Sequence, residues 1–127
     1  MKRAPYLLLT VFLLGTVTVA AQTPAQKPAA YEADMIRLSE ILGSLHYLRP
    51  LCGGSEQGQW RVEMQTLIDA ASLPPEKRAL LVAGFNRGYT SSEKTYPTCT
   101  EGARAVVQRF LDEGGRLSRE IATRYGN

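Results

Sequence analysis

Four segments of the chain place apolar residues at helical spacing, and this pattern constrains the fold more than any other sequence feature. They cover about residues 32–49, 59–71, 75–90 and 98–125. The apolar stripe of the first consists of Met35, Leu38, Ile41, Leu42, Leu45 and Leu48. No segment shows sustained strand alternation. Because wide apolar stripes must be buried against each other and the connections are fairly short, the sequence predicts an all-α fold, a small four-helix antiparallel bundle in up-down-up-down order.

Proline and capping residues predict where these helices begin and end. Pro50 should stop the first helix at Arg49, since proline clashes with the preceding turn. The third helix should begin with Pro75 in its first turn and fade around residues 89–92, followed by a loop over residues 91–97. The pattern Thr98-x-x-Glu101 predicts a capping box at the start of the fourth helix.

The apolar stripes of the third and fourth helices lead to two further predictions. The third helix should bury Leu81, Val82, Phe85 and Tyr89 on one face. In the fourth, Gly114 and Gly115 cost roughly 2 kcal/mol relative to alanines. The apolar residues stay in phase across the two glycines, which predicts one helix with a possible kink.

The N-terminus has the three-part pattern of a secretory signal peptide. Lys2 and Arg3 precede an apolar run of about 14 residues, and small residues up to Ala21 suit a signal peptidase. The run is shorter than the roughly 20 residues that span a bilayer, so we expect no stable membrane anchor after cleavage. We predict a signal peptide over residues 1–21, a disordered lead-in over 22–30 and one helical domain over 31–127.

Removal of the signal peptide changes the charge balance. The chain has 15 Lys and Arg against 12 Asp and Glu. The mature form keeps 13 basic residues and all the acidic ones, a balance of about +1. The basic pI of the precursor is therefore no argument for binding nucleic acid.

Cys52 and Cys99 are the only cysteines. An even count in an exported protein favours a disulfide, and the up-down-up-down order places both at the same end of the bundle. A pair of free catalytic thiols is the alternative, although the CxxC spacing of redox enzymes is absent. A zinc site would need more ligands than two cysteines and the single histidine, His46, provide.

His46 lies at the edge of the buried face of the first helix. One interpretation is a boundary histidine hydrogen-bonded to a neighbour, and the other is a general base or pH sensor. An enzyme would pair His46 with a carboxylate such as Glu40 or Glu63.

The less ordinary polar and aromatic residues predict one contact surface at the end of the bundle that carries the cysteines. Arg49 lies close to the apolar stripe and therefore needs a partner, such as a carboxylate. Trp60 follows a glycine-rich loop and is a core anchor or a ligand platform. Gly88 allows a helix end or the close approach of another backbone. The candidate surface consists of His46, Tyr47, Arg49, Trp60, Asn86, Arg87, Tyr89 and Tyr96.

The segments ILGSLHYLRPLCG (41–53), FNRGY (85–89), TYPTCT (95–100) and IATRYG (121–126) carry a resemblance. Together they resemble an uncharacterised family of small exported proteins from alpha-proteobacteria. The resemblance spans essentially the whole mature domain and transfers no catalytic residue. It implies a Gram-negative periplasm, and by analogy it supports the disulfide.

These observations lead to three functional hypotheses. The first is a non-enzymatic periplasmic protein that binds an envelope protein or a cell-wall component. The second is a small periplasmic enzyme that uses His46 with a nearby carboxylate, and the third is a periplasmic stress chaperone. The sequence predicts no cofactor, no metal and no nucleic-acid partner.

Overall fold

A computed structural model describes residues 26–126 and shows four α-helices. They are α1 (Gln26–Leu51), α2 (Gln59–Ala71), α3 (Pro75–Thr95) and α4 (Glu101–Tyr125). No strand occurs in this range, so the predicted all-α class is confirmed. The predicted signal peptide and the first part of the lead-in lie outside the described residues. Within residues 26–126, no helix combines the length and apolar character needed to cross a bilayer.

Helix α1 is the centre of the bundle. It packs against each of the other three helices, whereas α4 packs against α1 alone. Helices α1 and α3 run in the same direction, since Glu32 pairs with Lys77 near their starts and Tyr47 bonds to Tyr96 near their ends. Helix α4 runs antiparallel to α1. These directions match the predicted up-down-up-down order, and the predicted stripe of α1 is buried along its whole length.

Glycines bring α1 and α3 into backbone contact. A Cβ atom built on Gly43 would lie 1.9 Å from the Phe85 carbonyl oxygen, and one built on Gly88 would lie 1.9 Å from that of Glu40. The hydroxyl of Ser44 donates a hydrogen bond to the carbonyl of Gly88 over 3.1 Å. Gly88 therefore serves close backbone approach and does not end the helix.

Both ends of α1 differ from the prediction. The helix begins at Gln26, six residues before Glu32, and so includes residues 26–30 of the segment predicted to be disordered. Pro28 is tolerated there because N–H groups in a first turn have no intrahelical partner. At the other end Pro50 lies inside the last turn, and the helix ends at Leu51. The Gly54 N–H donates to the Arg49 carbonyl over 2.7 Å and closes this end.

The predicted end of α3 was wrong. The helix continues to Thr95, so only residues 96–100 connect it to α4. Its last turns stay helical because Tyr89 and Ser92 pack against the rest of the protein, and Ser92 is buried. The prediction that Val82 is buried was also wrong, since this residue is 45% exposed and is not part of the core.

The start of α4 also differs from the prediction. The N-cap is Thr100, whose Oγ1 accepts a hydrogen bond from the Ala103 N–H over 3.1 Å, so the predicted capping box at Thr98 does not form. The prediction of one helix across Gly114 and Gly115 is confirmed. Gly114 is buried against α1, where its lack of a side chain allows contact with Ile41.

The Cys52–Cys99 disulfide is present as predicted, with a Cα–Cα distance of 5.1 Å. It joins the end of α1 to the loop before α4. We call this end of the bundle, where α1 and α3 end and α2 and α4 begin, the disulfide pole.

The glycine contact predicts a large effect of one added methyl group. Gly88→Ala would push a Cβ into the Glu40 carbonyl, so α1 and α3 would have to separate. We expect the free energy of unfolding in urea to fall by about 3 kcal/mol. Gly115→Ala is the control, because its Cβ would meet only the end of the Arg119 side chain at 3.5 Å and should stabilise the helix by up to about 1 kcal/mol. Equal stabilities of the two variants would contradict the contact.

Candidate functional site

The disulfide pole brings four of the eight predicted surface residues together. The His46 and Tyr89 rings lie 5.8 Å apart, and those of Tyr47 and Tyr89 lie 5.4 Å apart edge to face. The Tyr47 hydroxyl donates a hydrogen bond to the Tyr96 carbonyl over 2.7 Å. All four side chains are half-buried. Their mutual packing fixes the ends of α1 and α3 relative to the loop that precedes α4.

Arg49 has the partner that the sequence required. Its guanidinium donates two hydrogen bonds to the Glu56 carboxylate in the loop between α1 and α2. The charge-assisted bonds from Arg49 lower the pKa of Glu56. This pair orders the glycine-rich loop, which contains Gly53 and Gly58 with φ of +83°.

Trp60 packs against the core from the first turn of α2. Its indole Nε1 is buried, and no described residue accepts a hydrogen bond from it. The ring borders a cleft between α2 and α4, on the other side of α4 from the surface that holds Arg87. The structure therefore separates Trp60 from the rest of the predicted contact surface.

Arg87 and Tyr96 line a second cleft, between α3 and α4 with α1 as its floor. We call it the polar cleft, and its volume is about 370 Å³. The side chains and backbone that form it belong to Arg37, Glu40, Ser44, Arg87, Gly88, Ser91, Ser92, Thr95, Tyr96, Val106, Arg109 and Phe110. Asn86 is exposed beside Arg87 and does not line this cleft.

A chain of ion pairs crosses the floor of the polar cleft. Arg37 donates two hydrogen bonds to Glu113 of α4, at 2.7 and 2.9 Å. Glu40 accepts from Arg87 at 2.7 Å and lies 3.6 Å from Arg37. Hydrogen bonding from Arg37 lowers the pKa of Glu113, and the same bond raises the pKa of Arg37. The network fastens both α3 and α4 to α1.

The polar cleft has a positive balance. Among the described residues, three guanidinium groups, from Arg37, Arg87 and Arg109, line it with the carboxylate of Glu40, and Glu113 pairs with Arg37 from outside the lining. Arg109 lies 5.6 Å from the centre of the Phe110 ring and forms no ion pair within residues 26–126. Planar guanidinium groups bind carboxylates in bidentate fashion, so this surface suits an acidic ligand group.

The cleft beside Trp60 has the opposite character. We call it the apolar cleft; it lies between α2 and α4, whose Cα atoms come nowhere within 8 Å of each other, and has a volume of about 570 Å³. Its floor is the apolar stripe of α1, and its walls include Leu67, Ile121 and Tyr125. Among the described residues, Glu63 is the one charged side chain that lines it.

His46 is not brought together with either predicted carboxylate. Glu40 is engaged by Arg37 and Arg87, and Glu63 faces the apolar cleft, which His46 does not line. The Nδ1 atom of His46 is buried without a hydrogen-bond partner among the described residues. In the same range, no three His, Cys, Asp or Glu side chains cluster as a metal site would require.

Sequence reasoning missed Arg37, Arg109 and both clefts. The Arg37–Glu40 spacing of three residues was a usable signal for an ion pair on α1, but Glu113 is distant in sequence. The sequence contains no distinct signal for the apolar cleft, since an apolar stripe has the same residue pattern whether a neighbouring helix covers it fully or in part.

Comparison with known families gives one match. Residues 30–125 match the family model described as "Protein of unknown function (DUF2385)". The chain belongs to the DUF2385 family. The match covers α2, α3, α4 and all of α1 after its first four residues. The described residues that line the two clefts therefore lie within the DUF2385 match, except Gly126. No curated protein and no solved structure matches the chain.

The position of His46 predicts a pH effect on stability. Partial burial, aided by the charge of Arg61, lowers the pKa of His46 below its usual value of 6.5. On acidification the unfolded chain therefore takes up a proton before the folded protein does. We expect the wild type to lose stability relative to His46→Gln as the pH falls from 7.5 through 6.5, with no difference in slope above pH 7.5. An NMR titration of the single histidine should show a midpoint below 6.5, and a midpoint above it would contradict the assignment.

Proposed function

We propose that this protein is a non-enzymatic periplasmic protein that binds an envelope protein or a cell-wall component through the polar cleft. One observation carries the proposal. Arg87 and Tyr96 line the same cleft as two further arginines, from α1 and α4. Three helices thus contribute guanidinium groups to one surface next to the disulfide pole.

The proposed location rests on sequence and on covalent structure. The N-terminal sequence has the pattern of a cleavable signal peptide, and disulfides such as Cys52–Cys99 persist in oxidising compartments. The resemblance to exported alpha-proteobacterial proteins supports a Gram-negative periplasm. Every described residue that lines either cleft lies at Tyr31 or later in the chain, after the predicted cleavage at Ala21.

The chemistry of the polar cleft favours a partner that bears carboxylates. The Arg87 side chain is 57% exposed and its guanidinium is held by Glu40, so it is positioned while still open to a ligand. Arg109 lacks a carboxylate partner within the described residues and can accept one from outside. Tyr96 adds an aromatic surface at the same place, and arginine and tyrosine are frequent hot-spot residues.

The proposal predicts that binding depends on the polar cleft and not on the far half of α4. Arg87→Ala and Tyr96→Ala should each reduce recovery of the crosslinked partner from an envelope extract by about tenfold or more. Arg116→Ala and Arg119→Ala serve as the control pair, because they remove guanidinium groups that line neither cleft.

Two results would contradict the proposal. If binding survives Arg87→Ala and Tyr96→Ala but is lost in Arg116→Ala and Arg119→Ala, the partner contacts the far half of α4 and not the polar cleft. Hydrolysis of a cell-wall substrate by the purified protein, without a recoverable partner, would show that the protein is an enzyme.

A further inference from the structure

The apolar cleft between α2 and α4 has no part in the function proposed above. Its floor follows α1 from Tyr31 to Leu45, a distance of about 21 Å at the helical rise of 1.5 Å per residue. Its volume of about 570 Å³ lies within the roughly 300–1,000 Å³ of preformed small-molecule sites. The cleft is therefore long and of ligand size.

The cleft also exposes little of its floor. Its floor residues are buried: Met35 is 1% exposed, Ile41 0% and Leu42 7%. A docked helix is about 10–12 Å across with its side chains and would need this floor open. A stable protein interface buries about 800 Å² on each partner, which this sealed floor cannot supply. The exposed area of the cleft is therefore too small for a second copy of the chain or a partner helix. The partly buried apolar walls, such as Leu67 and Ile121, suit a single alkyl chain.

Polarity changes along the cleft. On α2 the lining begins with Gln59 and Glu63 near the disulfide pole and continues with Leu67, Ala70 and Ala71. Glu63 has the only charged side chain among the lining residues that the structure describes. Arg61 precedes Glu63 by two residues, but neither Arg61 nor His46, whose pKa the charge of Arg61 lowers, lines this cleft. One end of the cleft thus carries a carboxylate that forms no ion pair within residues 26–126. The rest is mainly apolar, and the Thr66 and Ser118 hydroxyls in the lining bond to backbone carbonyls of their own helices.

We propose that the apolar cleft binds a single-chain amphiphile with a cationic head. The alkyl chain lies along α1 between α2 and α4, toward Tyr125. The head group lies at the start of α2, where it meets the carboxylate of Glu63. This inference does not depend on a partner at the polar cleft.

Trp60 provides the direct readout, because it is the single tryptophan and lines the cleft. The purified exported protein is titrated with alkylammonium probes from hexyl to decyl, below their micelle-forming concentrations. We expect saturable one-to-one binding, a shift in Trp60 emission, and a rise in affinity of about fourfold for each added methylene. Absence of binding, or affinity that does not rise with chain length, would overturn the proposal.

The head group is tested with probes of equal chain length. Decylammonium should bind more tightly than decanoate, and Glu63→Gln should lower the affinity for decylammonium by about two- to fivefold without weakening decanoate. Equal affinity for the two probes, or no effect of Glu63→Gln, would overturn the assignment of a cationic head.

A matched pair of variants tests the location. Ala122→Phe fills the cleft from an exposed position on α4, and Ala105→Phe adds the same ring to an exposed position of α4 outside it. The first should abolish binding of decylammonium while the second leaves it unchanged. Circular dichroism confirms that both variants fold. Equal binding by the two variants would show that the amphiphile lies elsewhere.

Discussion

The contact of α1 with α3 at two glycines is the constraint on which the rest of the structure depends. At Gly43 and Gly88 each helix meets a backbone carbonyl of the other, so neither position accepts a side chain without separation of the helices. The hydroxyl of Ser44 satisfies part of this buried polar surface by bonding to the Gly88 carbonyl. With α3 held this close along one side, α1 becomes the central helix, and its apolar stripe remains for α2 and α4 to cover.

Helices α2 and α4 cover that stripe with their backbones well apart, and the α4 backbone is also well apart from that of α3. The two clefts lie on the two sides of α4. Helix α4 packs only on α1, held by the Cys52–Cys99 disulfide and by the bidentate pair of Arg37 with Glu113. On one side of α4 the ion-pair network leaves a polar surface rich in arginine, to which we assign the envelope partner. On the other side the partly buried apolar residues of α2 and α4 leave an apolar groove, to which we assign an amphiphile. Both proposals thus rest on how α4 is attached.

Much of the fold could be predicted from the sequence because apolar periodicity and cysteine count are strong, local signals. The stripe of α1, the single helix across Gly114 and the disulfide are in the structure as expected. The helix ends could not be predicted as well, since packing of Ser92 carries α3 past its expected end. Within the candidate surface, the side chains of His46, Tyr47 and Tyr89 pack together near the disulfide pole. Arg87 and Tyr96 line the polar cleft beside them, whereas Trp60 lines the apolar cleft. Arg37 and Glu113 were missed because their pairing depends on how α4 docks, which no local pattern encodes.

Native-state hydrogen exchange of the oxidised protein tests the central role of the α1–α3 contact most directly. Amides of α1 and α3 around Gly43 and Gly88 should exchange only through global unfolding, since separating these helices exposes the whole core. Amides of α2, which packs on α1 with few contacts to α3, should open at a lower free energy while α1 and α3 stay closed. The opposite order, in which the amides around Gly43 and Gly88 exchange by local opening while α2 stays protected, would contradict the account.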